Sequence, residues 1–161
     1  MDRAVLIVDD QRDILKLLRA TLESLKNREL KIFEAPSGEE ALLESARHKI
    51  DLLVTDYLLP GMTGVELMHK IRAKHPEAKV ILITGMTDRK VRDEMLNAGA
   101  TAIFDKPIPL ADFLDAVERG LGLVRTIFLL KRQMKKPKSA TRGFQICSPT
   151  FGRISRPRPY F

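Results

Sequence analysis

Short apolar runs alternate with stretches of helical periodicity through the first three-quarters of the chain. The runs are Ala4 to Val8 (AVLIV), Leu30 to Ala35 (LKIFEA), Leu52 to Thr55 (LLVT), Val80 to Ile83 (VILI) and Ala102 to Phe104 (AIF). The second is the least uniformly apolar, which predicts an edge position. Between the runs, Ile14, Leu18, Leu22 and Leu25 recur at helical spacing, as do Leu110, Phe113, Leu114, Val117 and Leu121. Ser37 with Glu40 and Thr63 with Glu66 predict capping boxes, in which a hydroxyl accepts an unpaired first-turn N–H and a glutamate reaches back. Asp88 suits the N-cap of a fourth helix that ends at Gly99. Alternation of this kind is the pattern of an α/β fold, a parallel sheet with helices on both faces, here with five strands and five helices.

Right-handed crossovers place the carboxyl ends of all parallel strands on one rim of the sheet, where open α/β sheets bind their ligands. The residues found there are Asp9 and Asp10 after the first run, Asp56 after the third, Thr84 after the fourth, and Asp105 with Lys106 after the fifth. Asp9, Asp10 and Asp56 brought together would oppose one another's ionisation and require a cation. Lys106 supplies one positive charge. A hard divalent ion with oxygen ligands supplies the rest, and Mg2+ fits better than zinc because no His or Cys joins the group. A carboxylate so placed can attack phosphorus while cations neutralise the developing charge. Asp56 is the best nucleophile, coming from a central strand and followed by a loop containing Pro60 and Gly61. Thr84 can donate its hydroxyl to a phosphoryl oxygen.

The composition is that of a globular protein, with 44% hydrophobic and 30% charged residues in 161, and no run is long enough to span a membrane. Asp2, Asp9 and Asp10 interrupt the start where a secretory core would lie, and Cys147 has no second cysteine to pair with, so a reducing cytoplasm is expected. The formal charge of +7 is unevenly spread. Residues 125–161 hold ten Lys or Arg and no acid, leaving 18 basic against 21 acidic residues in 1–124, a net of −3 there. The expected division is a folded domain over 1–122 and a basic extension over 123–161.

The motifs VDD at 8–10, TDYLLPGMTG at 55–64, ITG at 83–85 and DKP at 105–107 resemble those of the receiver domain of two-component response regulators. The resemblance covers about residues 4–121. It implies a flavodoxin-like sheet of order 2-1-3-4-5 and phosphorylation of Asp56 by a histidine kinase or phosphotransfer protein. It also implies Mg2+ held by Asp10, Asp56 and the backbone carbonyl of Leu58, with Asp9 assisting through water. Thr84, Gly85 and Lys106 would form the phosphate-binding and switch group, and a cis bond is expected before Pro107. The expected output surface comprises the fourth helix, fifth strand and fifth helix, facing an unidentified downstream protein; a homodimer is left open.

Two departures from the family pattern alter the expectations. Many receivers carry an aromatic residue three positions before the lysine, whereas this chain has Ile103 there and Phe104 beside it, so signalling is expected to rely more on the Thr84 loop and the fourth helix. Leu58 and Met86 are apolar where some receivers have polar residues that position hydrolytic water, which predicts a long-lived phosphoryl group. A magnesium-dependent phosphohydrolase is the competing enzyme class, but it generally needs a second aspartate at the position of Leu58. Asp105 is read as a solvated or structural acid, and His48, His69 and His75 as surface residues.

In the extension, Val124 to Met134 suits an amphipathic helix or a linker. Beyond it Pro137, Pro149, Pro157 and Pro159 predict disorder. Lying on an acidic membrane is an alternative role for the amphipathic segment, and the basic and aromatic residues interleaved at Arg142 to Phe144 and Phe151 to Arg153 suit single-stranded nucleic acid, which is disfavoured as a partner.

Overall fold

The computed structural model describes residues 2–25 and 29–123. The expectations for residues 124–161 lie outside the described residues.

The sheet strands are β1 (Arg3–Val8), β2 (Leu30–Ala35), β3 (Leu52–Asp56), β6 (Lys79–Thr84) and β7 (Ala102–Asp105), with β4 (Leu58–Leu59) and β5 (Met62–Thr63) forming a separate antiparallel pair. The helices are α1 (Arg12–Glu23), α2 (Gly38–Arg47), α3 (Gly64–Lys74), α4 (Arg89–Asn97) and α5 (Leu110–Gly120). All pairings in the main sheet are parallel, in the order β2-β1-β3-β6-β7. This is the predicted 2-1-3-4-5 order once the short β4–β5 pair is set aside. The least uniformly apolar strand, β2, takes an edge.

Successive side chains of a strand point to opposite faces, so a strand covered on both faces needs apolar residues at every position. Leu6, Val8, Leu53, Val80 and Leu82 pack with Ala41, Met68, Ile71 and Met95 in one core. Val5, Ile7, Leu52, Val54, Ile81 and Ile83 pack with Leu15, Leu18, Leu22, Phe113 and Val117 in the other. Helices α2, α3 and α4 therefore cover one face, and α1 and α5 the opposite face.

The helix termini follow the sequence signals with small differences. Thr63 and Glu66 form a complete capping box, while at Ser37 the hydroxyl arm forms, accepting from the Glu40 N–H. Asp88 caps α4 by accepting from the Lys90 N–H at 2.8 Å, and Gly99 follows that helix with φ +87°. Leu25 keeps the periodicity of α1 and is buried, but the helix ends at Glu23.

The loop after Asp56 is more ordered than its Pro-Gly composition suggests, because Leu58 pairs with Thr63 and Leu59 with Met62 around Gly61, whose φ is +79°. The chain then passes tightly under β3: the Gly64 N–H donates to the Tyr57 carbonyl at 2.7 Å, and a Cβ at Gly64 would collide with the Asp56 carbonyl oxygen. Neither partner is a flexible side-chain tip, so a backbone shift is the only relief. Gly64→Ala is therefore expected to destabilise the protein by about 1–3 kcal/mol, measured by urea denaturation.

Candidate functional site

Strand pairing carries three polar side chains further into the sheet than the apolar runs indicate. Asp56 is the last residue of β3, in register with Ile83, and Thr84 and Asp105 are paired with each other at the ends of β6 and β7. Asp9 continues β1 by donating its N–H to the Ala35 carbonyl at 3.2 Å. Asp56, although drawn toward a turn, is 8% exposed, and Asp9 and Thr84 are each 1% exposed. Asp10 is exposed.

One carboxylate oxygen from each of Asp9, Asp10 and Asp56 lies within 4.8 Å of the others. The Lys106 ammonium donates to Asp56 Oδ2 at 3.0 Å and to Asp9 Oδ2 at 3.2 Å, across sequence separations of 50 and 97 residues. Three formal negative charges thus face one positive charge. Burial pushes the Asp9 carboxyl above its ordinary value, against the lowering effects of the Gln11 N–H and of Lys106. Burial lowers the Lys106 ammonium, but the hydrogen bond and charge of Asp56, with Asp9 behind them, outweigh it and leave Lys106 above its ordinary value.

The remaining predicted residues divide into those in the cluster and those beside it. Thr84 Oγ1 accepts from the Met86 N–H at 2.9 Å, so the hydroxyl proton is directed elsewhere. The Lys106–Pro107 peptide bond is cis. Leu58 sits in β4 with its side chain 56% exposed. A Cβ at Gly85 would meet open space, so steric crowding does not explain glycine there. Asp105 stands apart, both of its carboxylate oxygens accepting from Arg92 Nη1 at 3.2 Å. Ile103 packs against the core on the α4 side and Phe104 against the opposite core, edge to face with Phe113 at 6.1 Å. His75 is half-buried and its Nε2 lies 2.7 Å from the Ser45 carbonyl, a tertiary contact that its sequence neighbours do not signal.

Further bonds orient the residues in and around the site. Asp9 Oδ1 accepts from the Gln11 N–H at 2.8 Å, which fixes the carboxylate facing Lys106. Arg72 binds the carbonyls of Ala78 at 3.4 Å, Ala98 at 3.4 Å and Gly99 at 2.9 Å. The Tyr57 hydroxyl donates to Glu94 Oε2 at 2.8 Å, which holds the phenol above its ordinary pKa. The bonds of Arg72 and Tyr57 join residues whose partners are set by the fold rather than by spacing.

The sequence model of the response regulator receiver domain matches residues 5–118. The chain belongs to this family. The receiver resembles sporulation initiation phosphotransferase F of Bacillus subtilis, being 32% identical over 124 residues that cover 76% of this chain and 97% of that protein. A receiver domain protein of Methanospirillum hungatei JF-1 has the same architecture, with 32% identity, a TM-score of 0.67, and 76% and 95% of the two chains covered. Chemotaxis response regulator CheY4 of Vibrio cholerae follows at 26% identity and TM-score 0.66, covering 75% of this chain and 100% of its own. Other curated relatives are much longer: the receiver match spans 27% of a cyclic di-GMP phosphodiesterase of Thermotoga maritima and 26% of response regulator protein PilR of Pseudomonas aeruginosa. The family places the chain in phosphorelay signalling. Among the described residues, no helix is long and apolar enough to cross a membrane.

The raised carboxyl of Asp9 has a stability consequence. The folded state holds this proton more firmly than the unfolded chain does, so ionising Asp9 costs stability; the cost is absent below the ordinary carboxylate range and complete above the raised value. Asp9→Asn is expected to melt higher than the parent at pH 7, with the gap closing as the pH falls toward 4, measured by thermal denaturation without added divalent cation.

Proposed function

We propose that Asp56 accepts a phosphoryl group from a histidine kinase or phosphotransfer protein and that the resulting aspartyl phosphate switches partner binding. The observation that carries this reading is the Lys106 ammonium bridging Asp56 and Asp9 inside a three-carboxylate cluster. In the transfer, a carboxylate oxygen of Asp56 forms the new bond to phosphorus while the donor's bond to phosphorus breaks and its electron pair leaves with the donor. Lys106 lies within reach of both carboxylates and stabilises charge on a phosphoryl oxygen. Thr84, whose Oγ1 already serves as an acceptor, donates its proton to another phosphoryl oxygen.

The donor set fits magnesium: it is made of carboxylate oxygens, and the single ammonium leaves it with excess negative charge. Asp9, Asp10, Asp56 and the Leu58 carbonyl would hold the ion, with Asp9 acting through water. When bound, the ion supplies charge neutralisation at the phosphoryl oxygens. Its other requirement, exchangeable coordination positions, suits the exposure of Asp10.

The chain's own catalysis is confined to this phosphorylation and its reversal, in a cytoplasmic setting. Residues 1–122 form the receiver and 123–161 a basic appendage. The phosphohydrolase alternative lacks a carboxyl at Leu58, whose exposed apolar side chain offers no proton. The switch operates by population shift, in which phosphate contacts with Thr84 and Lys106 favour one arrangement of the adjoining loop and α4. Output passes through α4, β7 and α5.

Incubation with a small phosphodonor and magnesium is expected to add one labile phosphate to the intact protein and none to Asp56→Asn, read by mass. A phosphate retained in that variant would overturn the assignment. Lys106→Ala should slow the transfer by about a hundredfold. Leu58 and Met86 are exposed apolar side chains, 56% and 36%, each two residues beyond a site residue, so neither can orient a hydrolytic water. The phosphoryl group is accordingly expected to persist for minutes rather than seconds, followed by loss of the added mass over time.

A further inference from the structure

Helix α4 buries a single side chain, Met95, so its position depends on polar bonds to a degree the other described helices do not share. One of these bonds, between Arg92 and Asp105, is exposed on both sides and holds weakly. Another reaches the strand that carries the acid cluster: the Tyr57 hydroxyl donates to Glu94 Oε2 at 2.8 Å. Tyr57 directly follows Asp56 and is 7% exposed.

We propose that the bond between the Tyr57 hydroxyl and the Glu94 carboxylate is a tether that couples the acid cluster to α4. Tyr57 is then a positioning residue for the switch and no part of the phosphoryl site. The proposal rests on the reading of Asp56 as phosphoacceptor.

The argument turns on which end of the bond can move. Tyr57 is pinned, since its N–H donates to the Ile83 carbonyl at 2.8 Å, its carbonyl accepts from Gly64 at 2.7 Å, and its ring lies in the core shared with Met95. Helix α4 is joined to Thr84 by a short loop, within which the Thr84 hydroxyl accepts the Met86 N–H at 2.9 Å and Asp88 caps the helix. When Thr84 turns toward a phosphoryl oxygen, it releases Met86 and displaces the loop that begins α4. Glu94 then shifts relative to a phenol that stays in place. A bond with different geometry in two arrangements differs in strength between them, and that difference is a coupling free energy felt equally at both sites.

The test uses the full chain with magnesium and beryllofluoride, a phosphoryl mimic, and reads its half-saturating concentration by calorimetry alongside amide exchange across residues 89–97. Tyr57→Phe and Glu94→Ala are each expected to shift that concentration at least about threefold in the same direction. The double variant should shift it no further than either single change, and Glu94→Gln, which keeps an acceptor, should stay close to the parent. In Tyr57→Phe the exchange response of α4 to beryllofluoride should shrink by the same factor. A purely structural role would speed exchange with and without the mimic yet leave its affinity unchanged. Affinities shifted by less than threefold in both single variants, or shifts that add in the double variant, would overturn the tether. If Tyr57→Phe no longer folds, Glu94→Ala, altered on an exposed helix surface, decides the matter alone. Failure of the parent protein to bind beryllofluoride would instead remove the phosphoacceptor reading, and the tether with it.

Discussion

Drawing three carboxylates to one rim of a sheet is unfavourable, and the contact that makes it tolerable is the Lys106 ammonium between Asp56 and Asp9. Its chain enters from the end of β7, three strands away from β1 in the sheet order. The contact therefore exists only when strands from the first tenth of the chain and from nearly two-thirds of the way along it are assembled in one sheet. Parallel pairing is the constraint behind everything else: it needs crossover helices, those helices bury both faces, and burial removes water from Asp9 and from most of Asp56. Desolvation strengthens every charge–charge interaction within the cluster, since the same charges screened by bulk water would act on one another only weakly.

The two faces of the sheet have different roles around this rim. On one, α1 and α5 pack with Val117, Leu22 and Phe113 buried, a rigid backing. On the other, α3 is clamped to the end of β3 through Gly64 and buries five residues, whereas its neighbour α4 buries one. The described helix with the fewest buried residues thus lies on the same face as the close approach of Gly64 to the end of β3. In the proposed switch, that contrast would direct a displacement of the loop between β6 and α4 to where apolar packing is least.

Much of this was legible in the sequence because it depends on local pattern. Apolar runs, helical spacing and the Thr63 and Asp88 caps predicted the elements, and polar residues at strand ends predicted the rim. The strands ran one residue further than the runs at Asp56, Thr84 and Asp105, because backbone pairing does not depend on whether the side chain is apolar. The loop after Asp56 gave less away: Pro60 and Gly61 mark a turn, but the β4–β5 pairing is set by Gly64 passing beneath the strand. The partners of Tyr57, Arg72 and His75 were hidden for a related reason. Each bond spans a tertiary gap, and a lone polar residue near a helix says nothing about which neighbour it will face.

Arg72 illustrates a consequence of that geometry. Its guanidinium grips the backbone oxygens of Ala98 and Gly99 just past the end of α4, and a carbonyl is something every amino acid brings. This attachment therefore does not depend on a side chain at position 98 or 99. A helix end held through its backbone keeps that attachment whichever side chain stands at position 98, while Gly99 supplies its oxygen with no side chain at all.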